Sequence, residues 1–119
     1  MKMNEFSKYN DGVAYIYREK PKKNDFSAKI NASTMNDLDF VTKLAFEEAS
    51  KREQDVTFAE QNSFSLSLKI KTRLMKQVDN NCKAIIDGYL YDVSYLDTSR
   101  TEMWLYLEGI RPVERGEMK

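Results

Sequence analysis

Residues 63–73 alternate between polar and apolar side chains at almost every position. The apolar positions share one face of an extended chain, and they are Phe64, Leu66, Leu68 and Ile70. A period of two along the sequence is that of a β-strand with one buried face. The opposite face is expected to be wet and basic, because it carries Lys69, Lys71 and Arg73.

A tight hairpin is predicted at Asp87-Gly88, which separates two β-rich runs. A type I′ turn needs positive φ at both central residues, and glycine tolerates that conformation. A further β-rich run covers residues 102–108. These segments predict three or four antiparallel strands between residues 63 and 110, arranged as a meander.

The first half of the chain adds a predicted strand at residues 12–18 and an ambiguous region at residues 36–54. Apolar residues in the ambiguous region alternate as in a strand, but they also repeat at helical spacing. The residues at its end favour helix by propensity. We interpret the region as a strand over about residues 40–47 that leads into a polar loop or a short helix.

The predicted fold is mainly all-β: a small antiparallel β-barrel or meander with one long, possibly helical, loop. A chain of 119 residues is sufficient for a single domain, which we place at residues 1–119. With one buried face per strand, the predicted core consists of Phe64, Leu66, Leu68, Ile70, Ile85, Tyr91, Val93, Trp104 and Tyr106.

Composition disfavours most enzymatic chemistry. The chain has no histidine, the commonest general base and metal ligand, and only one cysteine, Cys82. Four scattered glycines do not form a phosphate-binding loop. We therefore predict no catalytic residue, no metal site, no cofactor and no enzyme. Neighbouring acids such as Glu47 and Glu48 leave a two-carboxylate hydrolase as the last alternative.

Charge is balanced overall, at 19 basic and 19 acidic residues, but it is divided into blocks along the chain. Such blocks suit docking between complementary surfaces, although an ordinary solvated face has about equal weight. The basic face of residues 69–73 and the tyrosines of residues 89–95 permit a second hypothesis. A small barrel with those features would bind single-stranded nucleic acid.

The order of the elements resembles that of the tailed-phage head–tail joining proteins, also called head-closure, stopper or head-tail adaptor proteins. The early strand at residues 12–18 is one part of the resemblance, and the aromatic strand near residues 40–46, followed by Ser50-Lys51-Arg52-Glu53, is another. The later parts are the strand that ends Lys69-Ile70-Lys71-Thr72-Arg73, the hairpin of residues 85–93 and a closing strand. The similarity covers roughly residues 9–110.

The resemblance implies a structural protein of a phage or prophage that forms a ring in the head–tail connector. Its partners would be other copies of itself, a portal-bound adaptor protein and a tail-completion protein. Double-stranded DNA would pass through the ring without sequence recognition, and no membrane would be involved. The expected location is the virion, and the host cytoplasm during assembly.

The resemblance also implies a segment that closes the DNA channel, which we place at residues 48–62. This segment is long and polar, with Val56 and Phe58 as its expected anchors, and the alternative is a stable helix packed on the barrel. The candidate channel residues are Lys51, Arg52, Glu53, Asp55, Phe58 and Glu60. For assembly, we expect the basic face to meet acids of the segment 47–60 on a neighbouring copy or on the adaptor, and the candidates are Lys69, Lys71, Arg73, Glu47 and Glu48.

Overall fold

The computed structural model describes residues 9–19 and 38–113. The described chain forms six strands and one helix. In chain order they are β1 (Gly12–Glu19), β2 (Leu38–Ala49), α1 (Glu53–Gln61), β3 (Leu68–Arg73), β4 (Cys82–Ile86), β5 (Tyr89–Thr98) and β6 (Glu102–Pro112). The expected all-β class with one partly helical connection is confirmed.

The strands close into an antiparallel barrel in the order β1-β2-β3-β6-β5-β4, with β4 paired back to β1. The barrel consists of two meanders, β1-β2-β3 and β4-β5-β6, and β3 pairs with β6 where they meet. Each of the six strands therefore has a hydrogen-bonded neighbour on both sides. The meander predicted over residues 63–110 is formed by β4, β5 and β6, whereas β3 belongs to the first half of the barrel.

The hairpin between β4 and β5 forms where the sequence predicts it. Asp87 has φ of 51° and Gly88 has φ of 77°, the positive values that a type I′ turn requires. The turn sets the register in which Ile86 pairs with Tyr89. The ambiguous region is also resolved, because residues 38–49 form a strand and the helix begins only at Glu53.

The barrel interior is filled by apolar side chains from all six strands. They include Ala14, Ile16, Leu44, Phe46, Ile70, Cys82, Ala84, Ile86, Val93, Met103, Leu105 and Leu107, and Val78 adds to them from the connection before β4. Ile70 and Val93 were predicted as core residues and are fully buried. The half-buried Leu68 and Tyr91, also predicted, pack against this core.

The predicted face of β6 is wrong. Met103, Leu105 and Leu107 point into the barrel, so Trp104 and Tyr106 lie on its outer surface. Tyr106 is nevertheless 7% exposed, which means that something other than the barrel interior covers it. An alternating strand with apolar residues on both faces gives no indication of which face is internal.

Two further predicted core positions need correction. Phe64 and Leu66 are half-buried, but they precede β3, which begins at Leu68. The prediction for Ile85 is confirmed, since it is 2% exposed and packs with Leu38 and Leu90 in a second core cluster. No helix within the described ranges is both long and apolar enough to cross a membrane.

Candidate functional site

Helix α1 lies across the outer surface of β3, β6 and β5. Its Asp55 contacts Lys69 of β3, and its Phe58 contacts Tyr95 of β5 and Tyr106 of β6. We call this surface, formed by Lys69, Lys71, Tyr95, Trp104 and Tyr106, the helix-side wall. Tyr106 is buried because α1 lies over it.

Asp55 forms the polar part of this contact. It is charged even though it is only 4% exposed. Its carboxylate accepts hydrogen bonds from the main-chain N–H of Arg52 at 2.9 Å and from Nζ of Lys69 at 3.0 Å. The Tyr106 hydroxyl donates a third at 3.5 Å. A buried charge is tolerated only when it is paired and hydrogen-bonded, and Asp55 satisfies both conditions.

The same carboxylate begins the helix. An acid at the third helical position that accepts from the N-cap main-chain N–H forms one half of a capping box, and Asp55 does this for Arg52. Burial alone would raise the pKa of Asp55, but the hydrogen bonds from Arg52 and Lys69 outweigh it and lower the pKa to about 2. Asp55 is therefore ionised at neutral pH and holds α1 to the barrel as a charge.

Aromatic contacts provide the apolar part of the contact. The Phe58 ring lies 4.8 Å from Tyr95, 6.1 Å from Tyr106 and 6.3 Å from Phe64, in edge-to-face arrangements. Such geometry is the favoured one for aromatic pairs. Lys69 Nζ lies 5.1 Å from the centre of the Tyr106 ring, within the range of a cation–π interaction.

The C-terminus of α1 ends in a Schellman motif. The Phe64 N–H donates to the Ala59 carbonyl at 3.0 Å, and the Ser63 N–H donates to that of Glu60 at 3.2 Å. Ser63 occupies the left-handed position with φ of 66°, where glycine is usual. Both ends of α1 are thus defined by local hydrogen bonds, whereas its attachment to the barrel depends on side chains.

The candidate channel residues occupy different parts of this element. Asp55 and Phe58 face the barrel, whereas Glu53 and Glu60 are exposed on the outside of α1. Lys51 donates to the Ser67 carbonyl at 3.0 Å, and the Arg52 side chain pairs with Asp55. Of the two expected anchors, Phe58 is confirmed by its contacts with the barrel, but Val56 is 39% exposed and the fully buried Ala59 takes its place.

The candidate assembly residues are partly paired within the chain itself. Besides Lys69 with Asp55, Lys71 forms an ion pair with Glu47 at 3.5 Å across the β2–β3 ladder. Arg73 and Glu48 have exposed side chains at separate places on the barrel. The outer basic face predicted from the sequence exists, but Lys69 is only 6% exposed and is not accessible to a neighbour while α1 lies over it.

A second outer surface was missed by the sequence analysis. Val13, Tyr15 and Phe40 project from β1 and β2 with exposures of 40%, 37% and 56%. The Phe40 ring lies 5.6 Å from that of Tyr17. We call these four residues the β1–β2 wall. Its signal was the unbroken apolar run of residues 13–17, which places apolar side chains on both faces of β1.

The remaining chemistry of the described residues is limited. Cys82 is fully buried inside the barrel, and burial, the largest effect, raises the pKa of its thiol. A buried thiol with a raised pKa is a poor nucleophile. Within residues 9–19 and 38–113, no group of three or more acidic, cysteine or histidine side chains is placed to hold a metal ion.

Comparison with known proteins adds no family to this description. No protein-family model matches the chain, and the search of curated proteins finds no match. What the molecule does is therefore inferred from its two outer walls, from α1 and from the resemblance of its elements.

Proposed function

We propose that the protein is a structural component of a phage or prophage head–tail connector, which assembles as a ring and helps to close the DNA exit channel. The proposal rests on one observation above all: the segments that carry the resemblance form the strands of one barrel. The early strand is β1, and the aromatic strand is β2. The strand of residues 68–73 is β3, and the hairpin and closing strand are β4, β5 and β6.

The closed barrel supports assembly through side chains. Because each described strand is paired on both sides along part of its length, a neighbour can extend the sheet only beyond those ladders, as at residues 38–45 of β2, which pair with β1 alone. The exposed residues of the β1–β2 wall offer the kind of surface that mediates protein contacts, since large apolar groups in a patch mark such sites. Under this proposal a neighbouring copy in the ring lies against that wall.

The connection that holds α1 is the candidate for channel closure. It joins β2 to β3 and spans residues 50–67, which is long compared with the usual connection of about 4–6 residues. The segment carries two basic and three acidic residues, and its net negative charge would repel DNA phosphates. The portal-bound adaptor and the tail-completion protein would contact opposite ends of the ring, with double-stranded DNA passing between them.

The experiment is disruption of the gene in the phage or prophage that encodes the chain, followed by complementation. We expect heads that package DNA but do not retain it or join tails, and the wild-type gene should restore tailed particles. Deletion of residues 51–60 should leave the heads otherwise complete but let their packaged DNA leak out. Normal tailed, DNA-filled particles without the gene would contradict the proposal.

A further inference from the structure

The helix-side wall combines basic and aromatic side chains in register. Lys69 lies beside Tyr106, which in turn lies beside Tyr95. The first row across β3, β6 and β5 therefore places one amine next to two aromatic rings. In the next row Lys71 lies beside Trp104. The strand pairing thus places two lysines along one side of three aromatic residues.

This arrangement is that of a surface for single-stranded nucleic acid. Aromatic faces stack on bases without regard to sequence, and amines along one side contact the phosphates. Lys71 is available for such a contact, because its pair with Glu47 is partly exposed and 3.5 Å long. Exposed pairs of this kind are weak, and a phosphate can replace the carboxylate.

Helix α1 occupies the first row with groups of the same two kinds. The Asp55 carboxylate lies on Lys69 where a phosphate would lie, and the Phe58 ring lies against Tyr95 and Tyr106 where a base would lie. We propose that the helix-side wall is a binding surface for single-stranded nucleic acid and that α1 is its intramolecular cover, so that binding requires α1 to detach. This goes beyond the connector role and stands or falls separately from it.

The attachment of α1 suits a cover that can be displaced. The helix has nine residues, fewer than an isolated helix needs to persist in water. Of these, Asp55 and Ala59 are the buried ones. The strands below it are joined by hydrogen-bonded ladders, so the barrel can remain folded when α1 leaves.

The test compares two variants that each remove one negative charge from α1. Asp55→Asn removes the ion pair with Lys69, whereas Glu60→Gln changes an exposed residue. Binding of a fluorescent thymidine oligonucleotide is measured by anisotropy at low salt, with the full-length protein. We expect Asp55→Asn to tighten binding by about tenfold or more, as the gain of one stacking contact would, and Glu60→Gln to change it by less than about twofold.

Further variants keep the proposal open to refutation. If hydrogen exchange shows that α1 stays attached in Asp55→Asn, replacement of residues 53–61 by a glycine-serine linker of equal length removes the cover directly. In whichever variant exposes the helix-side wall, the additional substitution Tyr95→Ser should abolish the gain in affinity for the oligonucleotide. Equal tightening by both charge variants, no tightening by the linker variant, or equal affinity for duplex DNA of the same length would overturn the proposal. None of these measurements depends on phage assembly, so they leave the connector role untouched.

Discussion

The two outer walls of the barrel carry similar side chains but have different surroundings. On the helix-side wall, Tyr106 is 7% exposed because α1 lies over it, while on the β1–β2 wall Phe40 is 56% exposed. The first wall is completed by its own chain and has a buried ion pair that fixes the position of the cover. The difference teaches that the burial of an outward-facing aromatic residue depends on whether another described element of the chain lies over it.

The largest effect is expected inside the barrel, beneath both walls. Ile16 lies beneath the β1–β2 wall and Leu105 lies beneath the helix-side wall, and both are fully buried. Ile16→Ala and Leu105→Ala should each lower the free energy of unfolding by about 2–5 kcal/mol, as buried truncations do. Urea denaturation measures this. A loss below about 1 kcal/mol at either site would mean that the inner face of that strand is wrongly assigned.

The next effect concerns the cover. Asp55→Ala leaves Lys69 without its partner, which costs about 3–5 kcal/mol when the orphaned charge stays buried. Because α1 can detach and let water reach Lys69, we expect a smaller loss of about 2–3 kcal/mol in urea denaturation. Glu60→Ala, at an exposed position of α1, is the control and should change stability by less than about 0.5 kcal/mol.

Low pH should weaken the attachment of α1 to the helix-side wall. The pKa of Asp55 is about 2 in the folded chain, below its ordinary value of 3.8. A carboxyl whose pKa is lowered by folding stabilises the fold above its unfolded pKa, and the stabilisation is lost as pH falls. Between about pH 4 and pH 2 we expect a loss of about 2 kcal/mol, seen as faster hydrogen exchange in α1. Asp55→Asn should remove that part of the pH dependence.

A smaller, stabilising effect is expected at the C-terminal end of α1. Ser63 holds a left-handed conformation after α1, which costs a residue with a side chain about 1 kcal/mol relative to glycine. Ser63→Gly should therefore stabilise the end of α1 by about 0.5–1 kcal/mol, with part of the gain offset by the freer unfolded chain. Slower exchange of the Phe64 amide is the expected observation. If Ser63→Gly instead lowers the stability, the serine side chain itself stabilises the end of α1.

The smallest effect on stability is expected on the β1–β2 wall. Phe40→Ser should change the free energy of unfolding by about 0.5 kcal/mol or less, since more than half of the side chain is already in water. The same substitution at Phe58, whose ring contacts three other rings, should cost more. If Phe40→Ser costs as much as Phe58→Ser, the β1–β2 wall is covered in the isolated protein and the contrast between the walls disappears.

The features that sequence predicted well are local ones. Alternation around Ile70 and the conformational demand at Gly88 act over a few residues, so β3 and the hairpin could be predicted directly. The inner face of β6 could not, because its outward-facing Trp104 and Tyr106 are as apolar as its inward-facing residues. The outer face is apolar as well because α1, an element about forty residues away in the sequence, covers Tyr106.

The ion pair between Asp55 and Lys69 was predicted in part: the two segments were expected to meet, but not within one chain. The complementary charges of the two segments indicated that they would meet, but charge alone does not say whether the partner lies in the same chain. The spacing of Arg52 and Asp55 is a local signal for a helix start, but it does not indicate which strand the helix lies over. The exposed β1–β2 wall follows from barrel closure, which is a property of the whole chain.

The position of Cys82 has a practical consequence. It is the sole cysteine of the chain, and its sulfur lies among the fully buried side chains of the barrel interior. A thiol reagent added to the native protein can therefore react only after the start of β4, or the preceding connection whose Gln77 and Asp79 contact the sulfur, moves away. The rate of that reaction therefore measures how often this part of the barrel opens, and it does not depend on motions of α1 on the outer surface. The single native cysteine can thus distinguish the two kinds of motion without any substitution.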